Sequence, residues 1–321
     1  MRSKNPSKAR NHKLMLNIQE NVLLAPLTTF QIGGTVRYFA DVRSENDIKE
    51  AVLWARDRGV RLVVISGGSN LLVPDSGLDA LVMRLVGNLY SMSKGKIDAW
   101  SGTNLFFLIR AAGVLGFGGW EKLAGIPGTI GGAVRGNAGA FGPEIKNFTT
   151  HVRALNVATG EVREFQNHEC DFSYRHSFFK DYPEWVITRV HVRLQQVGAA
   201  ESARAAEETI AEREKRHLQN VRAAGSYFMN PVAPPHIVEM FEKEKGVKSR
   251  ENRVPAGWLI EKAGMKGASV GDAKASDQHP NYIVNTGEAT SDDVLELAEN
   301  IRRAVREKFG VELSEEAAVL S

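Results

Sequence analysis

The chain has 321 residues, of which 43% are hydrophobic, 25% charged and 8% aromatic. Those proportions are typical of globular proteins, and they exclude a disordered, collagen-like or disulfide-scaffold chain. The formal net charge is +3, from 41 Lys and Arg against 38 Asp and Glu, and a chain of this length is expected to form roughly two or three domains.

The N-terminal segment, residues 1–20, is basic. Its positive charges are Arg2, Lys4, Lys8, Arg10 and Lys13, with no acid among them. We expect a mobile, solvated tail, and a membrane or nucleic-acid anchor is the alternative. Because the remainder of the chain lacks a basic excess, the composition does not favour a nucleic-acid partner.

The single cysteine, Cys170, excludes an intramolecular disulfide and agrees with a reducing compartment such as the cytoplasm. We expect a buried, inert thiol there, with a nucleophile as the alternative. No apolar run approaches the roughly 18 residues that a membrane helix needs. The eight histidines show no metal-binding spacing, so no metal site is predicted.

The first predicted unit alternates strands with a helix. Residues 36–40 alternate as a strand, a helix begins near Asp47 and ends at Gly59, and residues 62–65 are typical of a buried strand. That strand leads into a glycine-rich loop at residues 67–72, so the order is that of a βαβ-like unit.

A second predicted unit begins near residue 81 and includes a helix whose apolar positions run from Leu105 to Ala112. Residues 113–142 then contain eleven glycines, too many for regular helix or strand throughout. Further strands are predicted at residues 152–157 and 186–194.

The C-terminal third is predicted to be largely helical. Residues 200–219 indicate a surface helix that connects domains. Three more helical patterns cover residues 237–244, 257–262 and 293–308, and Gly310 follows the last of them.

Two glycine-rich loops lack the spacing of standard phosphate-binding motifs. In the first, residues 67–70, backbone N–H groups with Ser69 and Asn70 can converge on an anion, and a tight structural turn is the alternative. The second, residues 125–142, combines Pro127 with glycines that let the main chain approach a planar or diphosphate-bearing ligand. A cofactor cradle is predicted there, with close packing as the alternative.

Seven motifs in a fixed order connect the chain to a known family. They lie at residues 28–34, 67–72, 125–142, 172–175, 224–231, 256–260 and 279–285. Together they resemble the UDP-N-acetylenolpyruvoylglucosamine reductase family, flavoproteins of peptidoglycan precursor synthesis, over residues 28–320. With only 51 positions from Arg175 to Ser226, the chain resembles the branch of the family that lacks a long insertion.

The resemblance implies an α/β (α+β) fold in which two α/β subdomains of the vanillyl-alcohol-oxidase type clasp FAD. A C-terminal α+β domain would bind the substrate. The expected boundaries are 1–20 for the tail, 21–90 and 91–199 for the FAD-binding subdomains, and 200–321 for the substrate domain, with its last strand able to return to the FAD region.

The resemblance also implies NADPH-dependent reduction of UDP-N-acetylglucosamine enolpyruvate to UDP-N-acetylmuramate through bound FAD, by a cytoplasmic monomer or weak oligomer. Hydride added to the β-carbon of the enolpyruvyl group leaves negative charge on the α-carbon and carboxylate, and the protein must stabilise that charge. The alternatives are an FAD-dependent sugar or lactone oxidase of the same fold and a non-catalytic flavin- or nucleotide-binding relative.

Three residues match the family's catalytic positions. Arg175 would grip the carboxylate and hold the developing charge, with a surface salt bridge as the alternative. Ser226 would donate the proton, and a turn serine after Gly225 is the alternative. Glu316 would stay protonated and donate a hydrogen bond. The alternative is that neighbouring Glu315 occupies this catalytic position of the family.

The matching motifs imply further ligand contacts. Substrate contacts are expected at Tyr174, Asn230, Gln278 and His279. FAD contacts are expected at Gly67, Gly68, Ser69, Asn70, Leu71, Gly128, Thr129, Gly131, Gly132, Asn137 and Ala138.

The chain departs from the family pattern at Met229 and Ala318, where a Lys and an Arg are usual. Losing a cation that makes a charged hydrogen bond costs about 1.5–3 kcal/mol. We therefore expect weaker binding of substrate or NADPH, or compensation by a nearby base such as Lys262, Lys266 or Arg222.

Overall fold

The computed structural model describes residues 16–215 and 221–321. Sheets of four, five and three strands follow one another along the chain, and two short two-stranded ladders join distant segments. None of the described helices combines the length and apolar character needed to cross a lipid bilayer.

The N-terminal part contains a four-stranded sheet covered by one helix. Its elements are β1 (Gln19–Leu23), β2 (Thr35–Val42), α1 (Glu45–Asp57), β3 (Leu62–Ile65), β4 (Leu71–Leu72) and β5 (Leu78–Leu85). The strand order is β1-β2-β5-β3, in which β2, β5 and β3 are parallel and β1 is an antiparallel edge. Helix α1 begins where the Ser44 hydroxyl accepts from the N–H of Asp47, and it buries Ile48 and Ala51 in the core shared with the sheet.

The middle part contains an antiparallel sheet and several short helices. Its elements are β6 (Tyr90–Ser93), β7 (Lys96–Trp100), α2 (Leu105–Val114), β8 (Phe117–Gly118), α3 (Ile130–Arg135), β9 (Thr149–Asn156), β10 (Val162–Gln166), α4 (Phe178–Asp181), β11 (Trp185–Arg193), β12 (Gln195–Gln196) and α5 (Ala199–Lys215). The strand order is β10-β9-β11-β7-β6. Helices α2 and α3 pack on this sheet over a core that includes Trp120, Phe165 and Phe179.

The C-terminal part packs three helices around a small sheet. Its elements are α6 (Pro235–Lys245), α7 (Ala256–Lys262), β13 (Ser269–Val270), β14 (Ala273–Ala275), β15 (Ile283–Asn285), α8 (Ser291–Phe309) and β16 (Ala318–Val319). Strands β13, β14 and β15 form the sheet. Helix α8 begins at a Thr290 capping box, ends at Gly310 and buries an apolar stripe that includes Val294, Leu297 and Ile301.

The N-terminal and C-terminal parts are joined at two places. Phe30 and Ile32, from the motif at residues 28–34, are buried in the C-terminal core. Strand β16 pairs in parallel with β4, with Ala318 opposite Leu71. The end of the chain is therefore held directly against the strand that follows the first glycine-rich loop.

Most predicted strands and helices are confirmed, with small shifts at their ends. The predicted tail is wrong at residues 19 and 20, which belong to β1 and pair with Phe39 and Tyr38; residues 1–15 lie outside the described residues. Strand β5 does not begin a second unit, because it lies in the middle of the first sheet. The predicted connector helix is described only as far as Lys215.

Candidate active site

The two glycine-rich loops contact each other directly. A Cβ atom on Gly67 would lie 2.6 Å from the Cα atom of Gly128, so a side chain there would separate the loops. Across this contact the hydroxyl of Ser69 donates to the carbonyl of Pro127 at 3.0 Å. Close packing, the alternative interpretation of the glycines, therefore explains part of the glycine content.

The first loop also packs against the motif at residues 28–34 and its flanks. Gly68 has a φ of +63°, and a Cβ atom there would lie 2.1 Å from the carbonyl oxygen of Leu27. The carbonyl of Gly68 accepts from the N–H of Thr29 at 3.0 Å. The predicted cofactor residue Leu71 begins β4 and pairs with Ala318, so the loop is anchored on both sides.

The second loop enters helix α3 through Thr129. The Thr129 hydroxyl accepts from the N–H of Gly132 at 3.3 Å, and it lies 2.8 Å from the hydroxyl of Ser66 at the end of β3. The N–H of Gly131 donates to the carbonyl of Ser101 at 3.0 Å. These bonds fix the start of α3 beside the first loop.

Several main-chain donors at this junction have no acceptor within the described part of the chain. They are the N–H groups of Gly67, Gly68, Ser69, Asn70, Gly128 and Thr129. Successive peptide N–H groups in a turn form a concave anion-binding surface, and polar main-chain groups generally find partners in the functional state. The donor set therefore fits the diphosphate of a dinucleotide such as FAD.

The side chain of Asn137, expected to contact FAD, forms hydrogen bonds within the protein instead. It is fully buried, and its side-chain amide donates to Glu144 at 3.1 Å and to the Ser173 carbonyl at 2.8 Å. Its side-chain oxygen accepts from the N–H of Lys146 at 3.3 Å, and neighbouring Ala138 bonds back to Ala133. The side chain of Asn137 thus positions the turn that carries Arg175.

Arg175 has a left-handed backbone conformation, with φ of +57°. Such a conformation is uncommon for a residue with a side chain, and it persists only where neighbouring contacts impose it. Two contacts do so here: Lys180 donates to the Arg175 carbonyl at 2.8 Å, and the Arg175 guanidinium donates to the Gly139 carbonyl at 3.1 Å. The backbone strain therefore sets the direction of the guanidinium.

The guanidinium of Arg175 lies against the carboxyl group of Glu316, with 2.7 Å between Nε and Oε1. The main chain of Glu316 is held on both sides: its N–H donates to the Tyr227 carbonyl at 2.7 Å, and its carbonyl accepts from the Asn70 amide at 2.9 Å. Asn70, expected as a cofactor contact, thus ties the acid to the first glycine-rich loop.

Burial raises the pKa of Glu316 above its ordinary value, and the positive charges of Arg175 and Lys180 oppose that shift. Desolvation disfavours the charged carboxylate more than the nearby cations favour it. The proton is therefore retained to higher pH than on an exposed glutamate, as the proposed hydrogen-bond donor requires.

A short antiparallel ladder brings the main chain at Ser226 close to the main chain at Glu316. Phe228 lies opposite Glu315, and the N–H of Met229 donates to the Ser314 carbonyl at 2.9 Å. The N–H of Glu316 donates to the carbonyl of Tyr227, and Ser226 is the residue immediately before Tyr227. The hydroxyl of Ser226 is half-buried and makes no hydrogen bond within the described part of the chain, so it is available to a ligand.

Tyr174 and Asn230 are held together between two arginines. The Tyr174 ring lies 5.2 Å from the guanidinium carbon of Arg175 and 4.4 Å from that of Arg253. The Tyr174 hydroxyl accepts from the N–H of Asn230 at 3.3 Å, and the Asn230 side-chain oxygen accepts from the Ala256 N–H at 3.0 Å. The Asn230 amide oxygen is therefore occupied by the protein, and Tyr174 forms the wall beside Arg175.

Gln278 and His279 lie at the edge of this site. Gln278 is exposed, and its side-chain oxygen accepts from the Ser276 hydroxyl at 3.1 Å. The His279 ring packs edge-to-face on Tyr282, with 4.8 Å between ring centroids. Tyr282 is buried, and the charges of Glu316 and Arg175 act on its phenol. His279 is therefore linked to these two residues through Tyr282.

Comparisons with known proteins agree with this geometry. The FAD binding domain family matches residues 36–166, and the family described as UDP-N-acetylenolpyruvoylglucosamine reductase, C-terminal domain, matches residues 213–320. The UDP-N-acetylenolpyruvoylglucosamine reductase of Solibacter usitatus is 35% identical over 94% of this chain and 96% of its own length. The chain belongs to the UDP-N-acetylenolpyruvoylglucosamine reductase family.

Other members of the family show the same extent of similarity. The reductase of Pseudomonas aeruginosa is 35% identical over 94% of this chain and 99% of its own length. The crystal structure of the reductase from Thermus caldophilus matches with a TM-score of 0.74 and 32% identity, over 95% of this chain and 100% of that one. The predicted α/β class, with an FAD-binding region followed by a distinct C-terminal domain, is confirmed.

Lys262, Lys266 and Arg222 are the bases expected to compensate for Met229 and Ala318. Each of the three bases considered has a partner of its own: Lys262 with Glu244, Lys266 with Glu261, and Arg222 with the Gly287 carbonyl. Compensation by one of these bases would require it to leave or share its present partner, and it stays a prediction.

Two residues of the site were not assigned from the sequence. Lys180, on the short helix α4, orients the Arg175 carbonyl, and burial together with the charge of Arg135 lowers its pKa. Tyr282 lies within the motif at residues 279–285, which was the available signal for it. Lys180 had no such signal, because a lysine five residues after an arginine is common on a protein surface.

Cys170 lies in the protein interior. Its predicted burial is confirmed, and burial raises the pKa of the thiol to about 12, which is typical of an unreactive thiol. Within residues 16–215 and 221–321, no three His, Cys, Asp or Glu side chains are grouped as they would be around a metal ion.

Proposed function

We propose that the protein reduces UDP-N-acetylglucosamine enolpyruvate to UDP-N-acetylmuramate, with NADPH as the hydride donor and FAD bound at the junction of the two glycine-rich loops. The observation that carries this proposal is the contact between the Arg175 guanidinium and the Glu316 carboxyl group. The Asn70 bond places that pair directly beside the unpaired main-chain donors of the first loop.

The loops would hold the cofactor through main-chain donors. The N–H groups of residues 67–70, 128 and 129 would donate to the FAD diphosphate, while Gly131, Gly132 and Ala138 would line its path. Bound FAD supplies the hydride chemistry, from NADPH and then to the β-carbon of the enolpyruvyl group. The protein's own contribution is to bind, orient and protonate the substrate.

Arg175 would bind the carboxylate of the enolpyruvyl group. Once a hydride has reached the β-carbon, negative charge spreads over the α-carbon and that carboxylate, and a fixed guanidinium stabilises the charge as it develops. The contacts to Gly139 and Lys180 hold Arg175 in place before the reaction, so little reorganisation is needed. Tyr174 would limit the position of the substrate from the side.

Ser226 and Glu316 would complete the addition. Ser226 would give its hydroxyl proton to the α-carbon, and an enolate is basic enough to take a proton from a well-placed hydroxyl. Protonated Glu316 would donate a hydrogen bond to the developing charge, which its raised pKa permits. Hydride and proton together convert the double bond to the lactyl ether of the product.

The domain boundaries, the cellular location and the oligomeric state belong to the same proposal. We take residues 21–90 and 91–199 as the FAD-binding subdomains and residues 200–321 as the substrate domain, with Gln278 and His279 at its edge. A nucleotide-sugar substrate and NADPH agree with a cytoplasmic location, which cell fractionation would test. We further propose a monomer or weak oligomer, which size-exclusion chromatography with light scattering would measure.

The experiment that tests this function separates its two half-reactions. Purified protein should be yellow, should lose its flavin absorbance with NADPH under anaerobic conditions, and should regain it on addition of one equivalent of UDP-N-acetylglucosamine enolpyruvate. Reoxidation by oxygen alone would favour a sugar or lactone oxidase. Flavin that NADPH reduces and the enolpyruvyl compound never reoxidises would indicate a non-catalytic relative.

A further inference from the structure

Arg253 contacts two residues of the proposed substrate site. Its guanidinium carbon lies 4.4 Å from the centre of the Tyr174 ring, and its Nη1 donates to the main-chain carbonyl of Asn230 at 2.9 Å. The same Tyr174 ring lies 5.2 Å from the guanidinium carbon of Arg175. A second positive charge is therefore held against the ring that forms the wall beside Arg175.

The main chain fixes Arg253 in this position. Arg253 forms a β-bridge with Val232, and its N–H donates to the Arg250 carbonyl at 3.0 Å. The bond to the Asn230 carbonyl reaches the residue that follows Met229, the position where the family usually has a Lys. Arg253 thus brings a positive charge to the segment from which Met229 removes one.

Most of the donors of Arg253 are unused within the described part of the chain. A guanidinium has five N–H donors, and the bond to the Asn230 carbonyl is the one hydrogen bond that this side chain makes there. Glu251 is the acid beside it, with 3.7 Å between Arg253 Nε and Glu251 Oε2, and the Glu251 side chain is 61% exposed. Because an exposed pair at this distance contributes little, the charge of Arg253 remains open to an anionic ligand.

The substrate of the proposed function carries two anionic groups on one sugar ring, the enolpyruvyl carboxylate and the diphosphate. Arg175 is assigned to the carboxylate, and Arg253 lies against the same Tyr174 wall. We propose that Arg253 binds the diphosphate of the UDP-sugar, since the planar donors of a guanidinium match phosphate oxygens in a bidentate manner. The inference rests on the proposed function and adds to it a residue that lies outside all seven sequence motifs.

The test uses the FAD-loaded enzyme and three variants. Arg253→Gln removes the charge but keeps a donor for the Asn230 carbonyl, and Arg253→Lys keeps the charge without the planar geometry. Arg250→Gln is the matched control, because Arg250 belongs to the same loop, also lies 3.7 Å from Glu251 and has a side chain that is 71% exposed.

Isothermal titration calorimetry gives Kd for UDP-N-acetylglucosamine enolpyruvate and for NADP⁺, neither of which reacts with the oxidised enzyme. Each Kd is measured at several salt concentrations, because salt weakens the attraction between a cation and a phosphate. Thermal unfolding and FAD content establish that the variants are folded and loaded.

We expect Arg253→Gln to raise Kd for the UDP-sugar about tenfold or more, with Kd for NADP⁺ within about twofold of the wild type. The Kd of this variant for the UDP-sugar should also depend less steeply on salt, because one charge pair with the ligand is lost. Arg253→Lys should lose less affinity and keep the wild-type salt dependence, and Arg250→Gln should match the wild type throughout.

An unchanged Kd for the UDP-sugar, or a loss of affinity confined to NADP⁺, would overturn the inference. A raised Kd with the wild-type salt dependence would also overturn it, since that result indicates displacement of Tyr174 or Asn230 and no lost charge pair. If Arg253→Gln does not fold, a wild-type Kd for Arg253→Lys would contradict bidentate binding. Failure of the proposed function is distinguishable, because the wild type itself would then neither bind the UDP-sugar nor turn it over, which would overturn both.

Discussion

The side-chain amide of Asn70 donates to the main-chain carbonyl of Glu316 at 2.9 Å. The two residues are separated by 246 positions in the chain, and Leu71 pairs with Ala318 nearby, through strands β4 and β16. One amide therefore connects the proposed cofactor loop with the proposed hydrogen-bond donor of the reaction. Cofactor binding and the position of the acid should depend on each other.

Removing the side-chain amide of Asn70 should weaken FAD binding and disturb the position of Glu316. In Asn70→Ala the Glu316 carbonyl loses its partner, which costs about 1–3 kcal/mol when the group stays buried. We expect a lower free energy of unfolding, faster loss of FAD on dilution and a lower kcat. Asn300→Ala is the control, since Asn300 bonds only to exposed Arg303 and should change stability by less than about 0.5 kcal/mol. Equal behaviour of the two variants would argue against the coupling.

Contact between the glycine-rich loops gives a second prediction. Gly67→Ala would place a Cβ atom 2.6 Å from the Gly128 main chain, where no side-chain rotation can relieve the clash. We expect a destabilisation of about 1–3 kcal/mol and weaker retention of FAD. Thermal unfolding and flavin fluorescence of the released cofactor measure the two effects.

Gly132→Ala is the matched control for that variant. A Cβ atom there would come no closer than 3.5 Å to another atom, the Thr129 hydroxyl oxygen. Helical alanine is favoured over glycine by about 0.5–1 kcal/mol, so stability should be unchanged or improved. If Gly132→Ala nevertheless loses FAD, the ligand itself approaches Gly132. A stable Gly67→Ala protein with full flavin content would show that the loops do not need this contact.

The raised pKa of Glu316 predicts how the reaction depends on pH. Since the folded protein holds this proton above the ordinary value of 4.5, the required protonated form is complete at low pH. It is lost as pH rises through the pKa of the folded state, and the stability that the group contributes falls in the same direction. The rate of flavin reoxidation by the enolpyruvyl substrate should therefore decrease at high pH.

Two variants assign that decrease to one residue. Glu316→Gln keeps a hydrogen-bond donor with no titration, so its rate should be lower but flat over the same pH range. Glu315→Gln should retain the wild-type profile, because Glu315 pairs with Arg302 at 2.8 Å on α8. The opposite result, with the profile flattened by Glu315→Gln, would transfer the role to residue 315.

Elements with local signals were predictable from the sequence. The apolar spacing of Val294, Leu297 and Ile301, with Gly310 after it, correctly predicted α8 and its buried face. The alternation at residues 36–40 likewise predicted β2. Both signals depend on neighbours within a few residues, so no tertiary information was needed.

Features that depend on distant partners were not predictable in this way. The N-terminal strand β1 is stabilised by pairing with β2, and the short polar segment itself shows little preference for a strand. The ion pair of Lys262 with Glu244, with 2.8 Å between Nζ and Oε2, likewise has no signal in the local sequence. The meeting of Arg175 with Glu316 was expected only through the family resemblance, since 141 positions separate them.

The most direct test of the catalytic arrangement is rapid-mixing spectroscopy of Ser226→Ala under anaerobic conditions. Ser226 makes no hydrogen bond within the described residues, so the variant should fold normally, bind FAD and be reduced by NADPH at the wild-type rate. Reoxidation of the reduced enzyme by UDP-N-acetylglucosamine enolpyruvate should slow by roughly 10²-fold or more, the range in which general acid catalysis contributes. Equal slowing of both half-reactions, or wild-type reoxidation, would contradict the assignment of Ser226 as the proton donor.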